Sequence, residues 1–288
     1  MTQPETHTLD APGAVLHYDV RSNDASTQPV LLLIGSPMGA EGFVTQAGHI
    51  TDRTDVTYDP RGAGRSKRTD GASATAVEEH ADDLHRLIGA LDAGPADILA
   101  SSGGAVNALA LAARHPEQVR TLVAHEPPAA QELPDREQAL AVCDGIKQTY
   151  LREGFGPAMA KFIALVSHDG PIPDGYADQP GPDPAMFGLP TVDDGSRDDA
   201  LLCLNMPSCP AYRHDFAALR AAPCRIVIGV GAESSRMLAG RAGIAVAERL
   251  GPPAVTFPGG HDGFVGGEYG GMGKPDEFAA TLREVLND

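Results

Sequence analysis

ADILASSGGAVNALALAARHP, residues 96–116, is the stretch on which the fold turns. ADILAS is a short apolar run of strand type, and AVNALALAARHP, rich in Ala and Leu, is of helical type, so a strand feeds a helix with no linker between them. Such a passage makes a tight, strained turn that exposes the side chain at its apex, which is where a nucleophilic hydroxyl can be presented. The residues two before and two after the apex must be small. Centring on Ser102 puts Ala100 and Gly104 in those places, whereas centring on Ser101 puts Leu99 in one of them, so Ser102 is the candidate nucleophile. A serine that merely caps a surface helix would explain neither the buried strand before it nor the glycine pair after it.

Outward from this turn the chain alternates. AVLHYDV (14–20), PVLLLIG (29–35), DVTYDP (55–60) and VRTLVAHEPP (119–128) read as strands, the last stopped by Pro127 and Pro128, and 74–93 places apolar residues on a helical period. The continuous apolar run Val30 to Ile34 suits a strand covered on both faces. From about 129 to 210 the alternation lapses: helices are expected near 135–152 and 156–168, then a polar Pro/Gly/Asp stretch over 169–199. It resumes with FAALRAAP, CRIVIGVG, a helix through MLAGRAGIAVAERLG, the strand PAVTF and a last helix from Pro275. These patterns predict one α/β domain, residues 1–128 and 211–288, interrupted by a helical insertion over 129–210.

Three further segments bear on chemistry. The strand VLLLIG opens into Gly35-Ser36-Pro37-Met38-Gly39, a loop placed to offer a backbone N–H to an oxyanion beside that of Gly103; Pro37 has none, which leaves Ser36 as the favoured donor and Met38 in reserve. VTFPGGHDGF sets His261 in a glycine-rich loop just after the last strand, within reach of a serine at the end of another strand. His80, His85 and His115 fall in or at the end of helical patterns and read as surface or helix-end residues, while His125 ends a strand beside a carboxylate.

Composition narrows the classes. With 42% apolar and 21% charged residues the 288-residue chain is globular, and 22 Lys and Arg against 39 Asp and Glu give a formal charge of −17, the wrong sign for a duplex binder or a polybasic membrane anchor. MTQPETHTLD shows no signal peptide and no apolar run is long enough to span a membrane, so the cytoplasm is the expected compartment. Cys143, Cys203, Cys209 and Cys224 are too scattered for a disulfide framework, and Cys203 with Cys209 lacks a matched second pair for a metal site. GVGAES (229–234) lacks the third glycine of a dinucleotide loop, and no phosphate-binding loop is present, so neither cofactor nor metal is expected.

PVLLLIGSPMG, TYDPRGAGRS, ASSGGAVNALALAARHP and FPGGH, in this order and at these separations, resemble the α/β-hydrolase superfamily, within it the small serine esterase and cofactor-free haloperoxidase-like branch. The resemblance implies a mostly parallel central sheet flanked by helices, with the insertion as a helical cap or lid. It implies Ser102 and His261 as nucleophile and base, Gly103 and Ser36 as oxyanion donors, and Asp59 and Arg61 as structural ties. Ala100 replaces the family's usual glycine. Most members place the acid after the strand that here reads CRIVIGVG, where Glu233 is one residue off the usual slot and Ser234 fills it; a minority place it one strand earlier, where Glu126 stands, and Glu126 is favoured. The implied activity is cleavage of a small, uncharged or weakly polar carboxylic ester or lactone through an acyl-serine. The alternatives are acyl transfer, an epoxide hydrolase-like reaction, for which the family's carboxylate nucleophile is missing at 102, or a non-catalytic small-molecule binder. Tyr150, Phe155, Met159, Phe162 and Phe187 are candidate substrate anchors in the insertion, or the core of the insertion itself.

Overall fold

A computed structural model describes every residue except 1, 2, 73 and 207. Its centre is a nine-stranded sheet. In chain order the strands are β1 (Glu5–Ala11), β2 (Ala14–Arg21), β3 (Leu31–Ile34), β4 (Asp55–Asp59), β5 (Lys67–Arg68), β6 (Ala96–Ser101), β7 (Val119–His125), β8 (Arg225–Gly231) and β9 (Val255–Phe257). They lie side by side as β1-β2-β4-β3-β6-β7-β8-β9, with β5 on β2. β1 and β2 pair antiparallel at one edge, and β3, β4 and β6 to β9 run parallel. β1 escaped the sequence reading because ETHTLDA is polar and mostly exposed, a solvated edge strand without an apolar stripe.

The alternation of side chains sorts the strands into two cores. Leu32, Ile34, Ile98, Ala100, Leu122, Ala124 and Ile228 face helices α2 (Val77–Leu91), α3 (Gly103–Arg114) and α7 (Leu238–Leu250). The residues between them, Leu31, Leu33, Leu99, Val123 and Val227, face α1 (Val44–Gly48) and α8 (Pro275–Asn287). A sheet covered on both faces needs continuous apolar strands, which is why β3 and β6 are buried throughout.

Between β7 and β8 the chain forms the helical cap. α4 (Arg136–Glu153) and α5 (Phe155–Val166) pack with a π-helical turn (Ala200–Asn205) around fully buried Tyr150, Ile146 and Leu202, and Leu238 and Ala242 of α7 join them from below. α6 (Phe216–Ala221) leads the chain back into the sheet. Apart from β1, β5, α1 and the π turn, these elements follow the order that the sequence predicts.

Charged side chains tie the loops. Asp59 accepts the Ala40 N–H at 2.8 Å and the Arg65 N–H and Nε at 3.0 and 2.6 Å, and Arg61 forks onto Asp83 at 2.7 and 2.6 Å. The first of these holds the loop after β3 against the end of β4, and so fixes Ser36 and Pro37 beside the turn after β6.

Candidate active site

Strand register gathers the predicted residues at one end of the sheet. Ser101 lies beside His125, and His125 beside Gly229. The residues that follow, Ser102 and Glu126, therefore leave adjacent strands side by side, and Ser102 N–H still donates to His125 O (3.0 Å) and Glu126 N–H to Gly229 O (2.9 Å). Both then turn through left-handed backbone, with φ of 57° at Ser102 and 48° at Glu126. A non-glycine residue held there costs about 1–3 kcal/mol, which the surrounding ladder must offset.

The turn at Ser102 is enforced by contact. A Cβ on Gly104 would lie 2.6 Å from Ile34 O, and one on Gly103 would lie 2.5 Å from Ser36 O, so α3 approaches the end of β3 as closely as backbone allows. Ser102 stands at the N-cap of α3 yet its side chain makes no capping hydrogen bond. It lines a cavity of about 500 Å³ instead.

Glu126 is fully buried and receives three donors. Its Oε2 meets His261 Nδ1 at 2.6 Å, and its Oε1 accepts the Gly231 N–H at 2.8 Å and the Ser234 hydroxyl. Burial pushes this carboxyl up, but the His261 hydrogen bond and charge, with further help from Ser234, bring it down to about 2. Glu126 is thus an anion at any ordinary pH, and a carboxylate accepts, so His261 Nδ1 carries the hydrogen of this contact, and in the neutral ring Nε2 is the acceptor. His261 lines the same cavity as Ser102; among the described residues no hydrogen bond joins the two.

Glu233 goes elsewhere. It is exposed at the cavity rim and pairs with Lys274 at 2.6 Å. Its neighbour Ser234, in the slot where the resemblance puts an acid, is buried and donates to Glu126. The sequence reading named that slot without foreseeing the bond. Of the loop after β3, Ser36 and Pro37 line the cavity, while Met38 turns its side chain over Gly42 and Gly35 and packs with the core on the α1 and α8 side.

Other expectations divide. His80 is buried, not a surface residue, because the helix face that carries it packs inward, and burial with nearby Arg61 pushes it down to about 3. His125 is fully buried among Phe257, Phe264 and Phe278, both ring nitrogens lack a hydrogen-bond partner among the described residues, and burial pushes it down to about 4. It sits under Glu126 as a neutral ring. Of the five candidate anchors Phe162 reaches the cavity; Tyr150 is cap core and Phe187 is exposed. The cavity is walled mainly by apolar side chains, among them Phe162, Leu165, Leu201, Met206 and Leu238, and Asp262 joins Glu233 at its edge. Asn205 of the π turn also lines it, and the sole sequence signal for that residue was an amide within the apolar run LLCLNM.

A larger hollow, about 960 Å³ around Arg21, Arg53 and Asp55, holds no histidine or cysteine and lies at the β1–β2 end of the sheet. Cys203 and Cys209 are buried and form no disulfide, and among the described residues no group of three or more metal-type side chains gathers. Among the same residues no helix is long and apolar enough to cross a membrane.

Comparison with known proteins gives a concordant picture. A family model described as alpha/beta hydrolase fold matches residues 28–175. The chain is 32% identical over 265 residues to the uncharacterized hydrolase YraK of Bacillus subtilis (strain 168), a match spanning 89% of each chain. Among solved structures it is similar to the enol-lactonase from Burkholderia xenovorans LB400, with a TM-score of 0.67 at 17% identity over 98% of this chain and 100% of that one. It is also similar to a thermophilic esterase from Thermogutta terrifontis, with a TM-score of 0.68 at 20% identity over 99% and 98% of the two chains. At these identities the two structures speak for the fold.

Proposed function

The chain belongs to the α/β-hydrolase fold family, and from that premise we propose that it is a serine hydrolase that opens a small carboxylic ester or lactone through an acyl-serine on Ser102. The observation that carries this reading is the join of buried, ionised Glu126 to His261 Nδ1 at 2.6 Å, on the strand beside strained Ser102 and in one cavity with it.

Ser102 Oγ attacks the carbonyl carbon while His261 Nε2 takes its proton. The Glu126 charge holds the imidazole in the receptive tautomer and stabilises the imidazolium that forms. The carbonyl π pair moves onto oxygen, where the Gly103 and Ser36 N–H groups receive it. As the pair returns, the bond to the leaving oxygen breaks and His261 passes its proton to that oxygen. Water, deprotonated by the same nitrogen, then repeats the cycle on the acyl-serine. All of these steps use groups of this chain.

Residues 129–210 serve on this reading as the cap that roofs the site, on a core made of 1–128 and 211–288. The apolar wall and the acidic edge at Glu233 and Asp262 favour a neutral acyl group over a carboxylate-bearing one. The test is a panel of neutral esters and lactones with wild type and Ser102→Ala. Turnover that disappears in the variant supports the reading; a variant that keeps more than about a tenth of the wild-type kcat contradicts it.

A further inference from the structure

The cap sends one amide into the oxyanion loop. Ala200–Asn205 is a π-helical turn, an uncommon winding that tends to occur at functional sites, closed by Met206 N–H on Leu201 O at 2.8 Å. Both of its ends are fixed. At the start the Asp199 carboxylate accepts the Leu201 and Leu202 N–H groups at 3.0 and 2.8 Å, and Asp199 N–H donates to the hydroxyl of buried Tyr150 at 3.0 Å. At the finish the Asn205 carbonyl accepts the N–H groups of Ser208 and Cys209 at 3.1 and 3.0 Å.

The Asn205 side chain, so held, is buried and reaches across to the core. Its Nδ2 donates to Ser36 Oγ at 2.9 Å. The same amide lies over Gly103, where a Cβ would stand 2.7 Å from Asn205 Nδ2. Asn205 therefore touches both residues whose N–H groups are assigned to the oxyanion, and it lines the cavity that holds Ser102 and His261. A primary amide has two hydrogens: Ser36 Oγ takes one, and the buried Cys209 sulfur, a weak acceptor that an oxyanion would outcompete, is the other side-chain partner of Asn205.

We propose that the second Nδ2 hydrogen of Asn205 is a third donor to the oxyanion, a catalytic group supplied by the cap. This rests on the acyl-serine reading. As the Ser102 Oγ–carbon bond forms, the carbonyl π pair passes to oxygen and the serine proton to His261; on collapse the pair returns and that proton leaves with the alcohol. Charge on the oxygen peaks between these two moments, so the donor acts on kcat far more than on KM. A residue that merely pinned the cap to the core would act on KM and on melting temperature.

The test compares wild type, Asn205→Ala and Asn205→Asp on one short neutral p-nitrophenyl ester, with melting curves and inhibition by an alkyl boronic acid that forms a tetrahedral adduct. Asn205→Asp matters because it keeps the size and can still accept from the Ser36 hydroxyl, yet it sets a negative charge against the oxyanion. The expected result is a kcat lowered roughly 10²-fold by Ala and at least as far by Asp, KM within about threefold of wild type, and boronate affinity falling in step. Should Ala fail to fold, Asp decides. A folded variant with kcat within about threefold of wild type, or with the loss confined to KM, overturns the proposal. A wild type that cleaves no ester and takes no fluorophosphonate overturns the acyl-serine reading and this one with it, whereas an active, labelled wild type with a normal Asn205→Asp overturns the Asn205 role alone.

Discussion

Replacing Glu126 by glutamine keeps the outline of the side chain and inverts one hydrogen bond. On one side the carboxylate is met by the Gly231 N–H at 2.8 Å and the Ser234 hydroxyl, and on the other by His261 Nδ1 at 2.6 Å. In Glu126→Gln the two donors on the first side claim the amide oxygen, so the amide NH₂ faces the imidazole. An NH₂ cannot accept, and Nδ1 must become the acceptor, which moves the ring hydrogen to Nε2, the atom that receives the Ser102 proton in the proposed mechanism. The neutral amide also gives the imidazolium no charge to lean on. We expect kcat to fall roughly 10⁴-fold, about 5 kcal/mol, the loss that follows when the acid of a serine protease triad is replaced by its amide. Glu233→Gln, on a side chain 59% exposed and paired with Lys274 at the surface, should change kcat less than about threefold. Initial rates at saturating p-nitrophenyl butyrate, with circular dichroism melts of each variant, read both. A Glu126→Gln enzyme within about tenfold of wild type, or a Glu233→Gln enzyme as damaged as Glu126→Gln, would refute the reasoning.

Other outcomes follow from the same contacts. Adding Ser234→Asp to Glu126→Gln puts a carboxylate one hydrogen bond from the lost one; rates rising at least about tenfold over Glu126→Gln are expected, and no recovery in a folded double variant counts against a shared acid position. Gly104→Ala drives a Cβ to 2.6 Å from Ile34 O, so its melting temperature should drop and its activity with it; a variant as stable as wild type would mean that α3 can withdraw from β3. His214 is buried and held by that burial down to about 4. Because its folded value lies below the unfolded one, the unfolded chain binds the extra proton, and the neutral ring loses stability as pH falls from about 6.5 towards 4, about 2 kcal/mol by pH 5. His214→Phe should therefore show a shallower decline in melting temperature between pH 7 and 5, and parallel curves would contradict this.

The parts of this molecule that the sequence made legible are those that local patterning controls. β3 is apolar throughout, and β6, apolar but for Asp97 and Ser101, is buried along its whole length because both faces are covered, and the turn at Ser102 is announced by small residues on either side of it. β1 was not legible, since an edge strand with polar residues owes its pairing to β2 and not to burial. The two candidate acids were separable in part, through the Pro127-Pro128 turn that makes Glu126 hard to explain otherwise, but the contact on which the proposed assignment rests joins Glu126 to His261, 135 residues away. Asn205 was still less legible: its partner Ser36 is 169 residues distant, and the turn that carries it is a winding no periodicity forecasts. His80 was misread because its helix face packs inward in this fold.

The most direct measurement is the intact mass of the protein after treatment with a fluorophosphonate, followed by peptide mapping, in wild type and in Ser102→Ala. The account predicts one phosphonyl adduct on the wild type, carried by the peptide containing Ser102 and formed more slowly while an excess of an ester substrate is present, and none on Ser102→Ala. An adduct that persists in Ser102→Ala, or a catalytically active wild type that takes none, would contradict it.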